Sequence, residues 1–386
     1  MMNLLIDFIP FQMMGGVGGA ASFTKAVYDE LFSHPMENVR VFAAYDATLP
    51  TQGRYDCNQL SAEWKVTLED ISERPLSQVI RSESIDTFFI AIGQFYKIYD
   101  LKGISCRTIM FIHDIFDVER CDNRLDLTIV DRLHESRWHW MKRIVNLITG
   151  RWNRQMRQCY DNLMPLYAAP NTLAYTVSDY SRQALQYYFP EIKKDIRVCY
   201  SPLKNNQRQP DIENPQLAQL VNSGKPYLLM LAADRIYKNA ALVTKTFLRL
   251  QAEYPDLHLL TLKYGQCVLD RHIDISYLSD SDLEHAYEHA HALVFASFFE
   301  GFGYPPIEAA HYGTPTVASN VTSIPEILGS AGIYFSPFYP ADLYRALQQV
   351  LAHRDRYTEA ISQRYHEIRD RQQRDLKALI LEILKG

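Results

Sequence analysis

The stretch Ala292–Ser319 reads ALVFASFFEGFGYPPIEAAHYGTPTVAS, and it decides the fold class. ALVFA is a short apolar run of the length and composition of a buried strand. Glu300, Gly301, Phe302 and Gly303 interrupt it with turn residues, and two prolines then open a short helix. That helix stops at Gly313, ahead of Pro315, and TVAS resumes as a second strand. A strand, loop, helix and strand in close succession make a parallel crossover, so the expected fold class is α/β.

The same alternation extends in both directions. In the second half, strands are expected at Tyr227–Ala232, Leu257–Leu262, Ile273–Tyr277, Leu293–Ala296, Thr316–Ala318 and Ile333–Phe335. Helices fit near 239–253, 281–290, 306–312 and 341–352, and the charged tail from Arg354 to Leu384 reads as helix. In the first half, strands are expected at Leu4–Ile9, Val39–Ala44, Thr87–Ile92, Thr108–Ile112, Ala174–Val177 and Ile196–Cys199. One helix begins after the glycines near residue 20, and another follows Ser178, whose side chain can cap DYSRQALQYYF. Residues 201–225 hold three prolines and many Asn and Gln, the composition of a connection. The division expected is a Rossmann-like domain over 1–203, a linker over 204–225, a second Rossmann-like domain over 226–365 and a terminal helix over 366–386. Two such domains would face each other across a cleft, with ligands beyond the carboxyl ends of the strands.

Composition narrows the function. Forty Lys and Arg stand against 45 Asp and Glu, and in neither half do bases outnumber acids, so the basic field of a nucleic-acid binder is missing. The six cysteines are scattered without a C-x-x-C pair, which reads as reduced thiols in a cytoplasmic protein. The start, MMNLLIDFIPF, lacks the basic region and cleavage site of a secretory signal, and no run of 18 apolar residues occurs. A cytoplasmic protein is expected, at most peripheral on the inner face of the cell membrane.

Several constellations carry chemistry. Glycines at a helix start let backbone N–H groups approach an anion, and the helix dipole favours negative charge, so Gly301–Gly303 is built like a phosphate cradle. Glu308, read as lying in the first turn of the helix, could accept both hydroxyls of a ribose, or merely complement the dipole. Glu300 sits at the strand end, where a sugar would lie, or is a solvated loop acid. In the first half, PFQMMGGVGGAASF places Gly16 and Gly18 after a strand and before a helix. Read as G-x-G-x-x-A with Asp46 ending the second strand, it mimics a dinucleotide fingerprint, but Pro10–Met14 make the turn too long. His113 and Asp114 follow the strand TIMFI; a histidine there is a core residue or a group beside a substrate. Residues 137–158 hold six Lys and Arg, three Trp and no acid, which suits a helix packing its tryptophans inward or one lying on an anionic membrane. Asp280–Asp282 has a metal-binding D-x-D pattern but is read as a helix cap, and no essential metal ion is expected.

Glu300 and Glu308 flanking Gly-Phe-Gly strongly resemble the E-x7-E motif of the retaining, nucleotide-sugar-dependent glycosyltransferases of family 4, which have the GT-B fold. The resemblance continues through Ser276–Leu347, including IPEILG and YFSPFYPADL, and ADRIYKN at Ala233–Asn239 is similar to that family's basic segment. AYTVSDYSRQAL matches the family's approach to its interdomain link. The resemblance covers nearly all of the second domain and is patchier in the first.

What it implies is a two-domain enzyme whose C-terminal helix returns to the N-terminal domain. Glu300 would contact the hydroxyls of the donor sugar and Glu308 the nucleotide ribose, while amides around Gly301, Phe302 and Gly303 hold phosphate or sugar. Lys238 and Arg235 would face the diphosphate, although Arg235 falls in a different register from the family's arginine. Gly16 and Gly18 would close over the donor, and His113 would lie beside the reacting sugar. The donor would be a UDP-sugar or GDP-sugar, with no further cofactor. The acceptor would be a hydroxyl of a glycan, a lipid-linked sugar or another molecule, in cell-surface or capsular polysaccharide synthesis. Three other readings stay open on the residues: a nucleotide-sugar epimerase, an NAD-dependent oxidoreductase and a non-catalytic sugar-binding protein.

Overall fold

Apolar runs that alternate with amphipathic helices can bury both faces of a strand only in a parallel sheet covered on either side. The computed structural model realises this twice. It describes residues 1–14, 19–49, 56–93, 104–122, 169, 171–202, 209–265 and 269–385, with scattered positions between 141 and 161. The chain divides into two compact units, Met1–Val118 with Gln155–Lys204 and Asp370–Gly386, and Glu119–Arg154 with Asn205–Arg369.

The first unit holds β1 (Met2–Asp7), β2 (Val39–Tyr45), β3 (Thr67–Asp70), β4 (Thr87–Ile90), β5 (Arg107–Phe111), β6 (Thr172–Thr176) and β7 (Ile196–Val198). They form one parallel sheet in the order β3-β2-β1-β4-β5-β6-β7. β3 was not among the expected strands: TLED has two acids and only one buried residue, so no apolar run announces it. The apolar run after Leu4 continues through Ile9, but the strand stops at Asp7 and Ile9–Met14 is helix. That helix fills the space that made the following glycine turn look too long. Ser178 caps Asp179–Tyr188 as expected, its side chain accepting from the Ser181 amide.

The second unit holds β8 (Tyr227–Met230), β9 (His258–Leu262), β10 (His272–Ile275), β11 (Ala292–Phe295), β12 (Thr316–Ser319) and β13 (Ile333–Phe335), all parallel. Their order is β10-β9-β8-β11-β12-β13, the doubly wound pattern in which the chain direction across the sheet reverses between β8 and β11. Each of the six expected strands is present. Within the stretch expected as a linker, Pro215–Asn222 is helical and buries Leu217 and Leu220.

The expected capping role of Asp280–Asp282 is corrected. Ser279 is the residue that caps Asp280–His289, accepting from the Asp282 amide. Asp282 is buried, and its carboxylate accepts from the amides of Glu213, at 2.8 Å, and Asn214, at 3.1 Å. It therefore holds the entry to another helix, Pro215–Asn222.

The last helix, Arg354–Ile383, contributes to both units. Within the second, Arg364 donates to the carbonyls of Glu326 and Ile327. Within the first, the Arg371 guanidinium stacks 3.6 Å from the Tyr200 ring centre, and Glu382 pairs with Arg107 and Arg197. The return of the terminal helix to the N-terminal domain is thus present in the fold. Cys57, Cys106 and Cys199 are free and buried, and among the described residues no helix is long and apolar enough to cross a membrane.

Removing the Asp282 carboxylate leaves two backbone donors without their acceptor. Asp282→Ala is expected to lower unfolding stability by about 1–3 kcal/mol, read as a shifted denaturant midpoint with unchanged slope.

Candidate active site

In a doubly wound sheet, loops leaving the carboxyl ends of the two strands at the reversal diverge and open a crevice. In the second unit those strands are β8 and β11, and their loops carry Lys238 and Glu300. The β8 loop enters a short 3-10 turn, Ile236–Lys238, which ends at Asn239 with φ 62°, in the left-handed region that Asn tolerates. The Asn239 side-chain Nδ2 donates to the Pro337 carbonyl at 2.9 Å, and the Tyr237 carbonyl accepts from the Phe298 backbone N–H at 2.8 Å. The Lys238 backbone is thereby pinned against the β11 loop.

Lys238 is only 8% exposed. Its Nζ donates to Glu300 Oε1 at 2.5 Å and lies 4.7 Å from the centre of the Phe295 ring. A buried ammonium needs a counter-charge, and an aromatic face adds a weaker attraction. Glu300 is held in turn: its amide donates to Thr322 Oγ1 at 3.1 Å, and its carbonyl accepts from Ser323 Oγ at 2.9 Å. Ser323 also donates to the Phe302 carbonyl at 3.0 Å. The segment after β12 thus clamps the Glu300–Phe302 loop.

Gly303 has φ 104°, and a Cβ there would meet nothing nearer than Phe295 Cε1 at 3.8 Å. The backbone conformation, not lack of space, is what requires glycine at this helix start. Pro305 and Pro306 carry no N–H, so the loop's donors are the amides of Gly301, Phe302, Gly303 and Tyr304.

Arg235 is exposed and donates to Tyr237 Oη at 3.0 Å. That bond raises its pKa, with a smaller contribution from the field of Glu300, so the arginine sits within electrostatic reach of the pair. The expectation for Glu308 is corrected in one respect. The helix begins at Tyr304, placing Glu308 in the second turn, where its Oε2 accepts from the buried Tyr287 hydroxyl at 2.6 Å.

His113 lies in the first unit, two residues beyond β5, and is buried. Its Nε2 is 2.9 Å from the Ala91 carbonyl, so that nitrogen carries the proton and donates. Its ring meets Phe23 edge-on at 4.8 Å. Asp7, at the end of β1, accepts from the Ala91 amide at 3.0 Å and from Tyr28 Oη at 2.7 Å. The Ala91 peptide is therefore gripped from both sides. The Asp46 carboxylate closes a local turn onto the Thr48 amide. Gly16, Gly18 and most of 137–158 lie outside the described residues.

Among the described residues, His285, Glu288 and His289 could hold a metal ion, with ligand atoms within 4.8 Å of one another. His285 Nε2, however, is already 3.0 Å from the Gln209 carbonyl. Asp280 is not part of that group. Sequence reasoning missed Tyr287, Thr322, Ser323 and Asp7. Only Asp7 had a signal: an acid at the end of an apolar strand.

Residues 212–367 match the family described as Glycosyl transferases group 1. The chain is 48% identical over 63 residues to the O-antigen chain mannosyltransferase B of Escherichia coli, a segment covering 16% of each chain. It is 24% identical over 208 residues to the O-antigen chain mannosyltransferase RfbU of Salmonella typhimurium, covering 47% of this chain and 57% of that one. The chain thus spans less than two thirds of the length of these curated relatives. Among solved structures it matches WaaG, a glycosyltransferase involved in lipopolysaccharide biosynthesis, with a TM-score of 0.62 at 13% identity over 100% of both chains. It matches Anabaena HepE in complex with UDP and glucose with a TM-score of 0.62 at 13% identity, over 99% of this chain and 98% of that one. These likenesses and the two doubly wound units identify the fold as GT-B.

Burial pushes the His113 imidazole down to about 4, against a smaller upward pull from the Ala91 carbonyl. An unfolded histidine titrates near about 6.5, so between these values the unfolded chain binds a proton that the folded chain refuses. Stability from this group is complete above about pH 6.5 and falls as the pH drops toward 4. His113→Gln, which can still donate to Ala91, should flatten the stability difference between about pH 7 and pH 5 by about 2 kcal/mol. Equal pH slopes in urea titrations of the two proteins would contradict a neutral, buried His113.

Proposed function

We propose that this protein is a retaining glycosyltransferase that moves a sugar from a nucleoside diphosphate donor to an acceptor hydroxyl on a growing glycan. The observation that carries the proposal is the Lys238–Glu300 pair on the two loops at the sheet reversal. Cleaving a sugar–phosphate bond places extra negative charge on the departing diphosphate. A fixed ammonium and backbone amides in a low-dielectric setting stabilise that charge more strongly than water can. Lys238 and the Gly301–Tyr304 amides would supply this, with Arg235 adding positive field from the rim. Glu300 would bind sugar hydroxyls, and Glu308 the ribose.

The departing phosphate would take the acceptor's proton on the face it leaves, so the sugar keeps its anomeric configuration without a covalent intermediate. Charge neutralisation by side chains and amides makes a metal ion unnecessary in this scheme. The relatives named as O-antigen mannosyltransferases support a mannosyl donor and a cell-surface polysaccharide as product. A mannosyl donor would be a GDP-sugar or UDP-sugar bound at the cytoplasmic side, with 137–158 available for a peripheral contact with the membrane. His113, neutral at physiological pH with its proton committed to the Ala91 carbonyl, would accept a hydrogen bond from a sugar hydroxyl through Nδ1 and bring no charge.

The experiment follows from the ion pair itself. Glu300→Gln keeps the side chain's shape while releasing Lys238 from its counter-charge. Turnover of the nucleotide-sugar should fall about 10²–10³-fold, the usual cost of one misplaced electrostatic group, while the bare nucleoside diphosphate binds more tightly. Lys238→Ala should lose both turnover and diphosphate affinity. Calorimetry with UDP and GDP, alongside product analysis with labelled donor, reads both effects; wild-type turnover in either variant sinks the assignment.

A further inference from the structure

We infer that Tyr287 is a positioning residue for the donor: its buried hydroxyl, donating to Glu308 Oε2, fixes that carboxylate for the paired hydroxyls of a ribonucleoside diphosphate. The inference rests on the proposed function, and it concerns a residue 21 positions before Glu308.

Tyr287 lies in the helix Asp280–His289 and is 1% exposed. A carboxylate can only accept, so the 2.6 Å contact is an O–H···O⁻ bond with the phenol as donor. Burial first, and then the charge of Glu308, push the phenol well above its ordinary range, so the proton stays on the tyrosine at any working pH. The backbone is held as well. The Thr314 hydroxyl, itself fully buried, donates to the Tyr287 carbonyl at 2.7 Å, and the Thr314 amide donates to Ala309, the neighbour of Glu308, at 3.1 Å. The helix bearing Glu308 and the helix bearing Tyr287 are tied at two points, one through Thr314 and one through the carboxylate.

A glutamate has three side-chain torsions to immobilise when it binds a ligand, and a buried donor on one oxygen immobilises them beforehand. Preorganisation of this kind matters most for a ligand that makes two hydrogen bonds in one fixed geometry, as a 2′,3′-diol does. It matters less for a 2′-deoxyribose, which offers only one. The expected consequence of losing the phenolic hydroxyl is therefore a loss of discrimination between ribose and deoxyribose, not a uniform loss of affinity.

The test is Tyr287→Phe in the full chain, with calorimetry against GDP, 2′-deoxy-GDP, UDP and 2′-deoxy-UDP, and thermal melting in parallel. Affinity for the ribonucleotide that the wild type prefers should fall about tenfold, with little change for its deoxy counterpart, so the preference between them collapses. In turnover assays KM for the donor should rise while kcat stays within a few-fold. Glu308→Gln serves as a second variant should the phenylalanine protein melt too readily. It should lose the same preference, and the double variant should lose no more than either single one. A wild-type ribose preference retained in both variants, or equal weakening for ribose and deoxyribose, would show a merely structural tie and overturn the inference. A wild type that binds no nucleoside diphosphate at all would overturn the functional reading along with it.

Discussion

The ion pair between Lys238 and Glu300 is the constraint on which the second unit's chemistry depends. An ammonium left unpaired at this depth would bear the full desolvation cost of a buried charge or drag its loop toward water. The chain avoids both outcomes by drawing the partner from the neighbouring strand, since β8 and β11 are hydrogen-bonded neighbours whose carboxyl ends lie side by side. Everything close to the pair serves to keep that geometry. Asn239 accepts a left-handed backbone, Thr322 does so at φ 51°, and Ser323 spends its one proton on two carbonyls of the Glu300 loop. Backbone strain of this sort costs on the order of 1–3 kcal/mol per residue and persists only where the surroundings over-determine it.

The first unit also holds a backbone group rigid at its sheet reversal, with an acid and a neutral histidine. Its sheet reverses between β1 and β4, and the peptide just beyond β4 is gripped by Asp7 through its amide and by His113 through its carbonyl. Asp7 is fully buried and accepts from the Tyr28 hydroxyl, whereas His113 avoids charge by staying neutral. The two units have thus settled differently at equivalent topological positions. One presents a paired cation and anion, the other a rigid polar peptide lined by aromatic rings.

Most strands of the second unit were legible because they are compact apolar runs, as in YLLM and ALVF. Glu300 was legible at the end of such a run, and Lys238 through the likeness of ADRIYKN to a family's basic segment. β3 escaped because TLED pairs along only one edge and buries a single residue, so periodicity has nothing to register. The helix Ile9–Met14 escaped because FIPF prolongs the apolar run of β1, and only the three-dimensional turn at Asp7 ends the strand. Asp282 was read as a cap for its own helix, since a local cap is visible in sequence and an acceptor for amides 68 and 69 residues away is not. Tyr287 was invisible for the same reason: a buried tyrosine on a helix has an ordinary packing explanation until its hydroxyl is found against Glu308.

The terminal helix carries a related lesson about charge. Arg354–Ile383 looks in sequence like a solvated, highly charged segment, with apolar residues too sparse for a full stripe. Its anchoring is instead polar and specific. Arg364 satisfies carbonyls at the end of Ile324–Leu328, Gln372 donates to Ser201, and Asp375 accepts from the Tyr200 amide. Each of these bonds uses a backbone group that a helix end or a strand end leaves without a partner, and such groups are costly to bury unmet. Ile368 supplies apolar burial between these anchors, and Ile361, Leu379, Ile380 and Ile383 supply it on either side of them. A charged surface pattern therefore disguises a helix that adds directed hydrogen bonds from its long polar side chains to the burial of a few apolar residues.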